Sequence, residues 1–346
     1  MKNLVTLSKF TGWYGSHSGY YEQLPKYLDS LIPQKLVRPR KGWIARALGK
    51  SIAYAYSYPP RDQSKTLAEF EFLNMVKRSG CVGLVAAAED HLPMISRLGK
   101  KHGNIAATIH FPPTHWSEEK TRTLSRLSSA IILYSRDLEF FERIVGKERV
   151  RFVPHGVDTD FFVPDESIQS RDESFHVLVV GQFDRDFRRI HKLLKILTER
   201  FSSLTIDVVI AEHGLRIDHA KSLVEFPNCV RHSGISDETL RYLYQRARLL
   251  FLPMIASGAN NAFVEALACG TPIVTNDVGG IRDYGGGTVF PLATTDDELL
   301  DLASEYLCND SLYKKQSIAC RQFAEEQLRW DRSSELHLEA LRSLQE

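Results

Sequence analysis

The chain has 346 residues, of which 43% are apolar and 25% charged, and its formal net charge is +1. This length suits two domains, each with a hydrophobic core of its own. A charge so close to zero disfavours nucleic acid as the main partner, because a phosphate-binding surface needs an excess of cations. The five cysteines are scattered without a CxxC pair. Such a pattern is typical of reduced thiols and argues against a disulfide framework and a zinc knuckle.

The amino terminus, MKNLVTLSKFTGWYG, has too short an apolar run for a signal peptide. No apolar stretch in the sequence approaches the ~20 residues that span a bilayer. We therefore expect a cytoplasmic protein, whose contact with a membrane would be peripheral and on its inner face.

Strand-like apolar runs alternate with helical patterns along the chain. The first series is NLVTLS, KLVRP, CVGLVAA, NIAATIH, AIILYS and VRFVPHG, and the second is HVLVVG, LTIDVVI, CVRHSG, LLFLP, PIVTN and GTVF. Short, near-continuous apolar runs are typical of parallel strands that helices cover on both faces. The pattern predicts an α/β protein with two doubly wound, Rossmann-like parallel-sheet domains, which face a central cleft at the carboxyl ends of their strands.

The polar stretch VPDESIQSRDES, residues 163–174, lies between the two series and is typical of a linker. It predicts a first domain over residues 1–165 and a second domain over residues 166–327. A last helical segment covers residues 328–346.

The loop TGWYGSHSGYYEQL follows the first strand and opens a helix. Gly15 and Gly19 permit a close approach of the backbone to a ligand, and Ser18 can cap the helix. Tyr14 and His17 lie on the same loop and can contact a ligand. A simple connecting loop has a similar composition, so both interpretations stay open.

Residues 35–61 contain no acidic side chain. The cations of this segment are Lys35, Arg38, Arg40, Lys41, Arg46, Lys50 and Arg61. In RKGWIARALGKSIAYAY, apolar residues can line one helical face while cations border it, so the helix can lie on an anionic membrane surface. The alternatives are a basic surface helix packed on its own domain and a cationic path for an acidic glycan.

Other candidate residues follow predicted strands. His110 ends NIAATIH and precedes the loop FPP, while Gly181 ends HVLVVG and precedes a loop with Arg185 and Arg188. The carboxyl ends of parallel strands are where open α/β sheets bind ligands. The simpler interpretations are a structural histidine and a solvated turn.

The stretch SGANNAFVEALACGTPIVTNDVGG predicts a loop, a short helix and an abrupt stop. Asn260 or Asn261 can cap the helix, and Pro272 prevents its continuation. Free N–H groups at the amino terminus of this helix, beside Gly258, can bind an anion or sugar hydroxyls. Glu265 lies a little over one turn inside and can accept hydrogen bonds from hydroxyls. The alternative is a capped connector helix with a solvated glutamate.

This helix and its surroundings resemble the retaining glycosyltransferases of the GT-B architecture, family 4, the glycosyl transferases group 1 related to glycogen synthase. The family has two glutamates eight positions apart, the second of which begins EAxACGTPVV. Glu265 matches the second glutamate, and Ser257 replaces the first. Further matches run in order from IILYSRDLEFFERIVGKERVRFVPHGVDTDFF through VLVVGQFDRDFRRIHKLL and VRHSGISDETLRYLYQRARLLFLP to RQFAEEQLRWDR. The resemblance is nearly continuous from about residue 100 onward and weak before it.

The resemblance implies that the second domain binds a nucleotide sugar and the first domain the acceptor, with helix 328–346 packing back on the first. Glu265 is expected to bind the ribose hydroxyls, and the main chain at Ile235 the nucleotide base. The other residues expected to contact the donor are Gly19, Gly181, Ser257, Gly258, Ala259, Asn260 and Asn261.

Candidates for catalysis also follow from the resemblance. Gln182 stands where the family has an arginine, so this cation is missing. Alignment of the next helix puts Arg188 at the position of a family lysine, and Arg185 lies on a loop that is one residue longer. We predict that both arginines bind the diphosphate, because a guanidinium fork suits phosphate oxygens. His110 is expected to position the donor sugar or the acceptor.

The implied function is transfer of a hexose-type sugar from a nucleotide-diphosphate sugar to a glycan or lipid-linked acceptor, with retention of configuration, in surface polysaccharide or glycolipid biosynthesis. Tyr14 and His17 are expected on the acceptor side. No DxD pair lies in a suitable loop, and the histidines and cysteines lack metal-ligand spacing, so we expect neither a metal nor another cofactor. Two alternatives stay open: a sugar-nucleotide epimerase of the GT-B fold, and a non-catalytic protein that binds sugar nucleotides.

Overall fold

The computed structural model of the chain describes residues 1, 3–9, 17, 19–56, 62–91, 93–98, 104–169 and 175–344. They form two compact units. The described residues of Met1–Gly12, Gly19–Gly156 and Trp330–Glu346 form the first unit, and those of Trp13–Ser18 and Val157–Arg329 form the second.

The first unit contains a parallel sheet of six strands in the order β2-β1-β3-β4-β5-β6. The strands are β1 (Leu4–Leu7), β2 (Gln34–Val37), β3 (Val82–Val85), β4 (Ile105–Ile109), β5 (Ser129–Ile132) and β6 (Val150–Phe152). In the register of the sheet, Thr6 lies opposite Leu36 on one side and Leu84 on the other. The central strands are buried along their whole length, as expected for parallel strands with helices on both faces.

The helices of the first unit are α1 (Tyr20–Leu31), α2 (Trp43–Ala55), α3 (Gln63–Ser79), α4 (Pro93–Leu98), α5 (Glu118–Leu124), α6 (Leu138–Val145) and, from the end of the chain, α14 (Trp330–Arg342). Local signals explain where some of them begin. The Asp62 side chain caps α3 by accepting a hydrogen bond from Ser64 N, and Ser117 caps α5 by accepting one from Lys120 N. Phe72, Tyr134 and Phe141 are among the largest fully buried side chains.

The second unit contains a parallel sheet of five strands in the order β11-β10-β7-β8-β9. The strands are β7 (Phe175–Val180), β8 (Leu204–Val209), β9 (Cys229–His232), β10 (Leu249–Phe251) and β11 (Ile273–Val274). The predicted strand GTVF is wrong. This segment follows a 3-10 turn (Gly279–Tyr284) and itself contains a tight turn, because Gly285 and Gly287 have positive φ angles of 91° and 82°.

The helices of the second unit are α7 (Glu166–Gln169), α8 (Phe187–Arg200), α9 (Ala220–Val224), α10 (Asp237–Arg246), α11 (Asn261–Ala268), α12 (Asp296–Cys308) and α13 (Asp310–Gln327). The apolar face of α8 packs into the core of the unit, since Ile190, Leu193, Leu194 and Leu197 are all fully buried. Two parallel sheets, each with its own helices, confirm the predicted α/β class. In the described part of the chain, no helix is both long and apolar enough to cross a membrane.

Candidate functional site

Helix α11 of the second unit begins directly after Asn260, whose backbone is extended. The side-chain Oδ1 of Asn260 accepts a hydrogen bond from the backbone N of Ala262 at 3.1 Å. Asn260 rather than Asn261 therefore caps the helix by satisfying one of its first N–H groups. The helix ends at Ala268, and Gly270 then adopts a φ angle of 69°. The predicted loop, helix and stop are confirmed.

The guanidinium of Arg185 lies against the carboxyl end of β7. Its Nε donates to Val180 O at 3.0 Å, its Nη1 to Phe183 O at 2.7 Å, and its Nη2 to Asn260 Oδ1 at 3.1 Å. Gly181 makes room for it, because a Cβ at this position would lie 2.7 Å from Nη2. The loop after β7 thus fixes one cation beside the residue that caps α11.

The amide nitrogen of Asn260 is a buried hydrogen-bond donor. Its Oδ1 accepts from both Arg185 and Ala262, whereas Nδ2 has no partner in the described part of the chain. A buried donor without a partner costs about 1–3 kcal/mol. The amino terminus of α11 and the Arg185 guanidinium both contact this amide group, and both favour negative charge. This corner of the second unit, which we call the α11 corner (Arg185, Asn260 and the first turn of α11), can therefore hold an anionic group.

Glu265 lies on α11 and is only 4% exposed. Its Oε2 accepts a hydrogen bond from the Tyr244 hydroxyl of α10 at 3.0 Å. Burial raises the pKa of the Tyr244 hydroxyl well above its usual value, and the charge of Glu265 raises it further. The same two causes raise the pKa of the Cys269 thiol. The structure thus gives Glu265 a protein partner, and its contact with a ribose stays a prediction.

Ser257 occupies the position of the missing first glutamate and is buried. Its hydroxyl donates to Gly258 O at 3.0 Å, and its own carbonyl accepts a hydrogen bond from Gly280 N at 2.9 Å. The serine and the Gly279–Gly280 turn are therefore bound to each other through the backbone. A contact between Ser257 and a donor sugar stays a prediction.

Arg188 has different surroundings from Arg185. It lies in the first turn of α8, its side chain is 78% exposed, and its Nη2 is 3.6 Å from Asp218 Oδ2, on a side chain that is 79% exposed. An ion pair at such a surface contributes little, about 0–1 kcal/mol. Among the described residues, no hydrogen bond joins Arg188 to the α11 corner, so its part in a diphosphate clamp stays a prediction.

The remaining donor candidates of the second unit lie on loops. Ile235 follows β9 and packs, partly buried, against the core of the unit, directly before Ser236, which caps α10. Ala259 is also partly buried against this core. These positions explain how the loops are held, and the predicted contacts with base and sugar stay predictions.

In the first unit, His110 follows β4 and is 8% exposed. Its backbone N donates to Glu89 Oε1 at 2.5 Å, Phe111 N donates to the same oxygen at 3.0 Å, and His110 Nδ1 lies 3.3 Å from Glu89 Oε2. Burial raises the pKa of the Glu89 carboxyl, but the His110 ring and these hydrogen bonds lower it by more, so the net shift is downward. Glu89 is thus an ionised partner of His110.

The candidates near the amino terminus are described in part. Gly19 precedes α1 with a φ angle of 90°, and Tyr14 lies outside the described residues. His17 belongs to the second unit, where its ring stacks on Phe161 at 3.8 Å. Its Nδ1 lies 2.8 Å from Asp158 Oδ2. The ring is therefore engaged with protein groups, and its contact with an acceptor stays a prediction.

Sequence reasoning missed Glu89 and Tyr244. Glu89 follows the apolar run CVGLVAA, so the rule that selected His110 at a strand end could also have found it. Tyr244 lies inside α10 and gives no local signal, because its bond to Glu265 depends on how α10 packs against α11. Among the described residues, no three histidine, cysteine, aspartate or glutamate side chains are grouped so that they could hold a metal ion.

Comparison with known protein families gives a match within the second unit. Residues 172–309 match the family model Glycosyl transferases group 1. An MMP alpha-(1->4)-mannosyltransferase of Mycolicibacterium hassiacum is 27% identical over 147 residues, which cover 41% of this chain and 34% of the relative. A D-inositol 3-phosphate glycosyltransferase of Frankia alni is 29% identical over 157 residues, which cover 39% of this chain and 38% of the relative. The matches thus span little more than a third of these curated relatives.

Solved structures share the fold over nearly the whole chain. Sucrose-phosphate synthase from Thermosynechococcus elongatus covers 99% of both chains with a TM-score of 0.74 at 14% identity. Anabaena HepE, in a structure described as a complex with UDP and glucose, covers 99% of this chain and 100% of its own with a TM-score of 0.68, also at 14% identity. At these identities the likeness is one of fold alone. Together with the family match, it confirms the predicted resemblance at the level of a glycosyl transferases group 1 domain of the GT-B type, over residues 172–309.

Proposed function

We propose that this protein transfers a hexose-type sugar from a nucleotide-diphosphate sugar to a hydroxyl of its acceptor, with retention of configuration. The observation that supports this most directly is the α11 corner, an anion-binding arrangement inside the glycosyl transferases group 1 domain. Two curated relatives of the chain are named as sugar transferases. One protein of the same fold was solved with UDP and glucose.

The chemistry of transfer explains why such a corner is needed. When the bond between sugar and diphosphate breaks, negative charge grows on the leaving phosphate. The Arg185 guanidinium, the Asn260 Nδ2 and the positive end of the α11 dipole would stabilise this charge, and the loss of a donor such as Arg185 or Nδ2 costs about 10²–10³ in rate. Because the arginine is already held by three carbonyl oxygens, it needs little rearrangement when the donor binds. Charge neutralised in this way requires no metal ion.

The remaining residues complete the proposal. We assign Glu265 to the ribose of the donor, Ile235 to its base, and His110 to a sugar hydroxyl. The acceptor is a glycan or a lipid-linked sugar, as in the assembly of surface polysaccharide or glycolipid. Tyr14 and His17 belong to the acceptor side of this proposal.

Incubation with a panel of UDP-, GDP- and ADP-sugars tests the proposed function. Release of free nucleotide that depends on an added acceptor supports transfer. An isomeric donor sugar would instead indicate an epimerase, and binding without any turnover a sensor protein. The second unit gives a matched pair of variants: Arg185→Gln should slow nucleotide release by about 10²-fold, whereas Lys195→Gln, on the exposed face of α8, should leave it unchanged.

We also propose that helix α2 contacts an anionic membrane surface. Its buried face consists of small residues, Ala45, Gly49 and Ala53, and a Cβ on Gly49 would lie 1.7 Å from Gln63 O. Three large apolar side chains of the helix are exposed instead. Trp43 is 79% exposed, Ile44 58% and Leu48 52%.

The cations of α2 border this apolar surface, which we call the α2 face (Trp43, Ile44 and Leu48). Arg46 and Lys50 are exposed on the same helix, and no acidic residue occurs between Asp29 and Asp62. Apolar side chains flanked by cations match the interface of an anionic bilayer, where headgroups meet acyl chains. Such a contact would bring the enzyme to a lipid-linked acceptor.

A further inference from the structure

The first unit holds a histidine whose two ring nitrogens have different surroundings. His110 and Glu89 follow the neighbouring parallel strands β4 and β3, so their side chains meet at one edge of the sheet. The pairing continues past the strands, since Ala88 N donates to Thr108 O at 2.9 Å. The short distances between Glu89 and His110 are therefore fixed by the sheet itself.

The contacts of Glu89 determine which nitrogen of His110 bears the proton. A carboxylate only accepts hydrogen bonds, and its Oε2 lies 3.3 Å from His110 Nδ1. Nδ1 must then bear a proton, and in the neutral form of the ring Nε2 presents its lone pair. Because Oε1 also accepts from the backbone N of His110 and of Phe111, the carboxylate orients both the main chain and the ring.

The neighbouring carboxylate does not compete for this role. Asp90 Oδ2 lies 2.7 Å from Lys9 Nζ, and its Oδ1 lies 2.8 Å from Lys65 Nζ. These two lysines hold the pKa of Asp90 well below its usual value, although burial opposes them. Glu89 is therefore the carboxylate that serves His110, and Asp90 is neutralised by its own partners.

The ring of His110 is held in place by aromatic side chains. Tyr20 packs edge-on at 4.7 Å between ring centroids, and Tyr21 packs at 5.0 Å. The Nε2 atom is buried and has no hydrogen-bond partner in the part of the chain that the structure describes. A buried acceptor that lacks a partner is unfavourable unless a ligand satisfies it.

We infer that Glu89 is a positioning residue that holds His110 with its proton on Nδ1, so that Nε2 accepts a hydrogen bond from a hydroxyl of a sugar substrate. The sugar in this inference rests on the proposed function, whereas the protonation state of the ring does not. The substrate group that contacts His110 Nε2 must then be a hydrogen-bond donor. A hydroxyl fits this requirement, whereas an ionised carboxylate or phosphate oxygen does not.

The tautomer of His110 can be measured without substrate. Nitrogen NMR of protein labelled with ¹⁵N-histidine distinguishes the two ring nitrogens, and a His110→Gln variant assigns the signal among the twelve histidines. We expect the Nδ1–H tautomer in the wild type at neutral pH. The Nε2–H tautomer in the wild type would overturn the inference without the need for any further variant.

Two matched changes from acid to amide then test the role of Glu89. In Glu89→Gln we expect a population of the Nε2–H tautomer. We also expect a fall in kcat of about 10²-fold, because no carboxylate then orients the ring of His110. In Asp90→Asn, which removes the same charge one residue away, the tautomer should stay as in the wild type. Glu89→Asp keeps the negative charge and should therefore retain part of the activity that Glu89→Gln loses.

The two proposals fail in different ways. If no donor sugar is transferred but the Nδ1–H tautomer is present and depends on Glu89, the proposed function fails and the positioning role stands. If sugar is transferred and Glu89→Gln changes neither the tautomer nor kcat, the positioning role is wrong. The groups that face the ring and could also affect it with pH are Glu89, Tyr20, Tyr21 and His337.

Discussion

Arg185 and Arg188 are three positions apart in the sequence, but their guanidinium groups have unlike surroundings. Arg185 makes hydrogen bonds to Val180 O, Phe183 O and Asn260 Oδ1. Arg188 projects from the surface of α8 and meets only the exposed Asp218 in the described contacts. Arg185 is half-buried, and a half-buried, oriented cation acts more strongly on a phosphate than a fully exposed one, because solvent screens the exposed charge.

We predict that Arg185 contributes more to diphosphate binding than Arg188. Arg185→Gln should lower kcat by about 10²-fold, as expected when a preorganised donor to a developing charge is removed. Arg188→Gln should lower it only a few-fold, about 1 kcal/mol or less. Initial rates of nucleotide release at saturating donor measure both effects.

The exposed Lys195 on α8 provides the control for a general loss of positive charge. Its change to glutamine should leave the rate unchanged, and thermal unfolding of each variant should show that the fold is intact. An equal loss of rate in Arg185→Gln and Arg188→Gln would instead favour the clamp of two arginines predicted from the sequence.

At the scale of single elements, α11 and α2 differ in which of their side chains are buried. Helix α11 is almost wholly buried, and Asn260 caps its amino terminus. Helix α2 buries a row of small residues and leaves the large apolar side chains of the α2 face exposed. The ligand expected at α11 is a compact anion, and the partner expected at α2 is an extended surface.

For α11, the change Asn260→Asp separates helix capping from ligand binding. Aspartate caps a helix as well as asparagine does, and its charge suits the helix amino terminus and Arg185. The stability should therefore be retained. The affinity for UDP, GDP or ADP should fall about tenfold or more, since a donor is lost and a negative charge faces the phosphate. Isothermal calorimetry and urea unfolding measure the two quantities.

Asn260→Ala is the companion variant, because it removes the cap together with the donor. It should cost about 1 kcal/mol of stability as well as affinity. Unchanged nucleotide affinity in Asn260→Asp would show that the Nδ2 group does not contact the donor.

For α2, we predict binding to anionic vesicles that depends on the helix itself. The double change Arg46→Gln and Lys50→Gln should weaken binding by about 30-fold, since each cation near an anionic surface contributes about 1 kcal/mol. Trp43→Ser should also weaken it by removing an apolar anchor. Flotation with vesicles of phosphatidylglycerol, compared with phosphatidylcholine, measures the affinity.

The last turn of α3 supplies a matched control in the same unit. Lys77 and Arg78 are exposed there, so changing both to glutamine removes the same charge from a different surface. If this control weakens binding as much as the α2 variant does, the attraction is one of overall charge. If the wild type does not float with either lipid, α2 is not a membrane contact.

At the scale of the whole molecule, the end of the chain belongs to the first unit. Helix α14 places His337 beside Tyr20, whose hydroxyl lies 2.6 Å from His337 Nε2, while Nδ1 donates to Ser333 O at 2.7 Å. Burial lowers the pKa of His337 to about 4, with a smaller contribution from the nearby His110 and an opposing one from the Ser333 carbonyl. The folded protein therefore holds this histidine neutral.

This burial predicts a loss of stability in acid. The unfolded chain binds a proton at His337 near pH 6.5, whereas the folded protein does so only near pH 4. The unfolding free energy should therefore decrease as the pH falls from about 6.5 to 4, by up to about 3 kcal/mol from this group. Urea unfolding of the wild type and of His337→Gln, at pH 7.5 and 4.5, measures the difference between them.

His337→Gln has no side chain at this position that binds a proton. The difference in unfolding free energy between the wild type and this variant should therefore be smaller at pH 4.5 than at pH 7.5. His115→Gln, at an exposed histidine, should leave a constant gap. A gap between wild type and His337→Gln that does not change with pH would show that His337 is protonated equally in the folded and unfolded states.

The sequence predicted where the candidate residues lie in the fold better than it predicted which side chains they contact. The rule that ligand-binding residues follow parallel strands led to His110, but its bond to Glu89 depends on the pairing of β3 with β4. The amphipathic pattern of α2 suggested a helix with an apolar face. It did not indicate that Ala45, Gly49 and Ala53 would be the buried residues, because that depends on how closely α3 approaches.

What the sequence determined by itself is local: the alternation of apolar runs and helices, the cap, the stop of α11 and the motif around Glu265. These follow from the backbone preferences and spacing of neighbouring residues, and they were enough to predict two parallel sheets. Only the tertiary structure decided that Arg185 is held against Asn260 while Arg188 is exposed, and that Glu265 is bonded to Tyr244. The reason is physical: a hydrogen bond or ion pair between distant residues depends on packing, which no local pattern encodes.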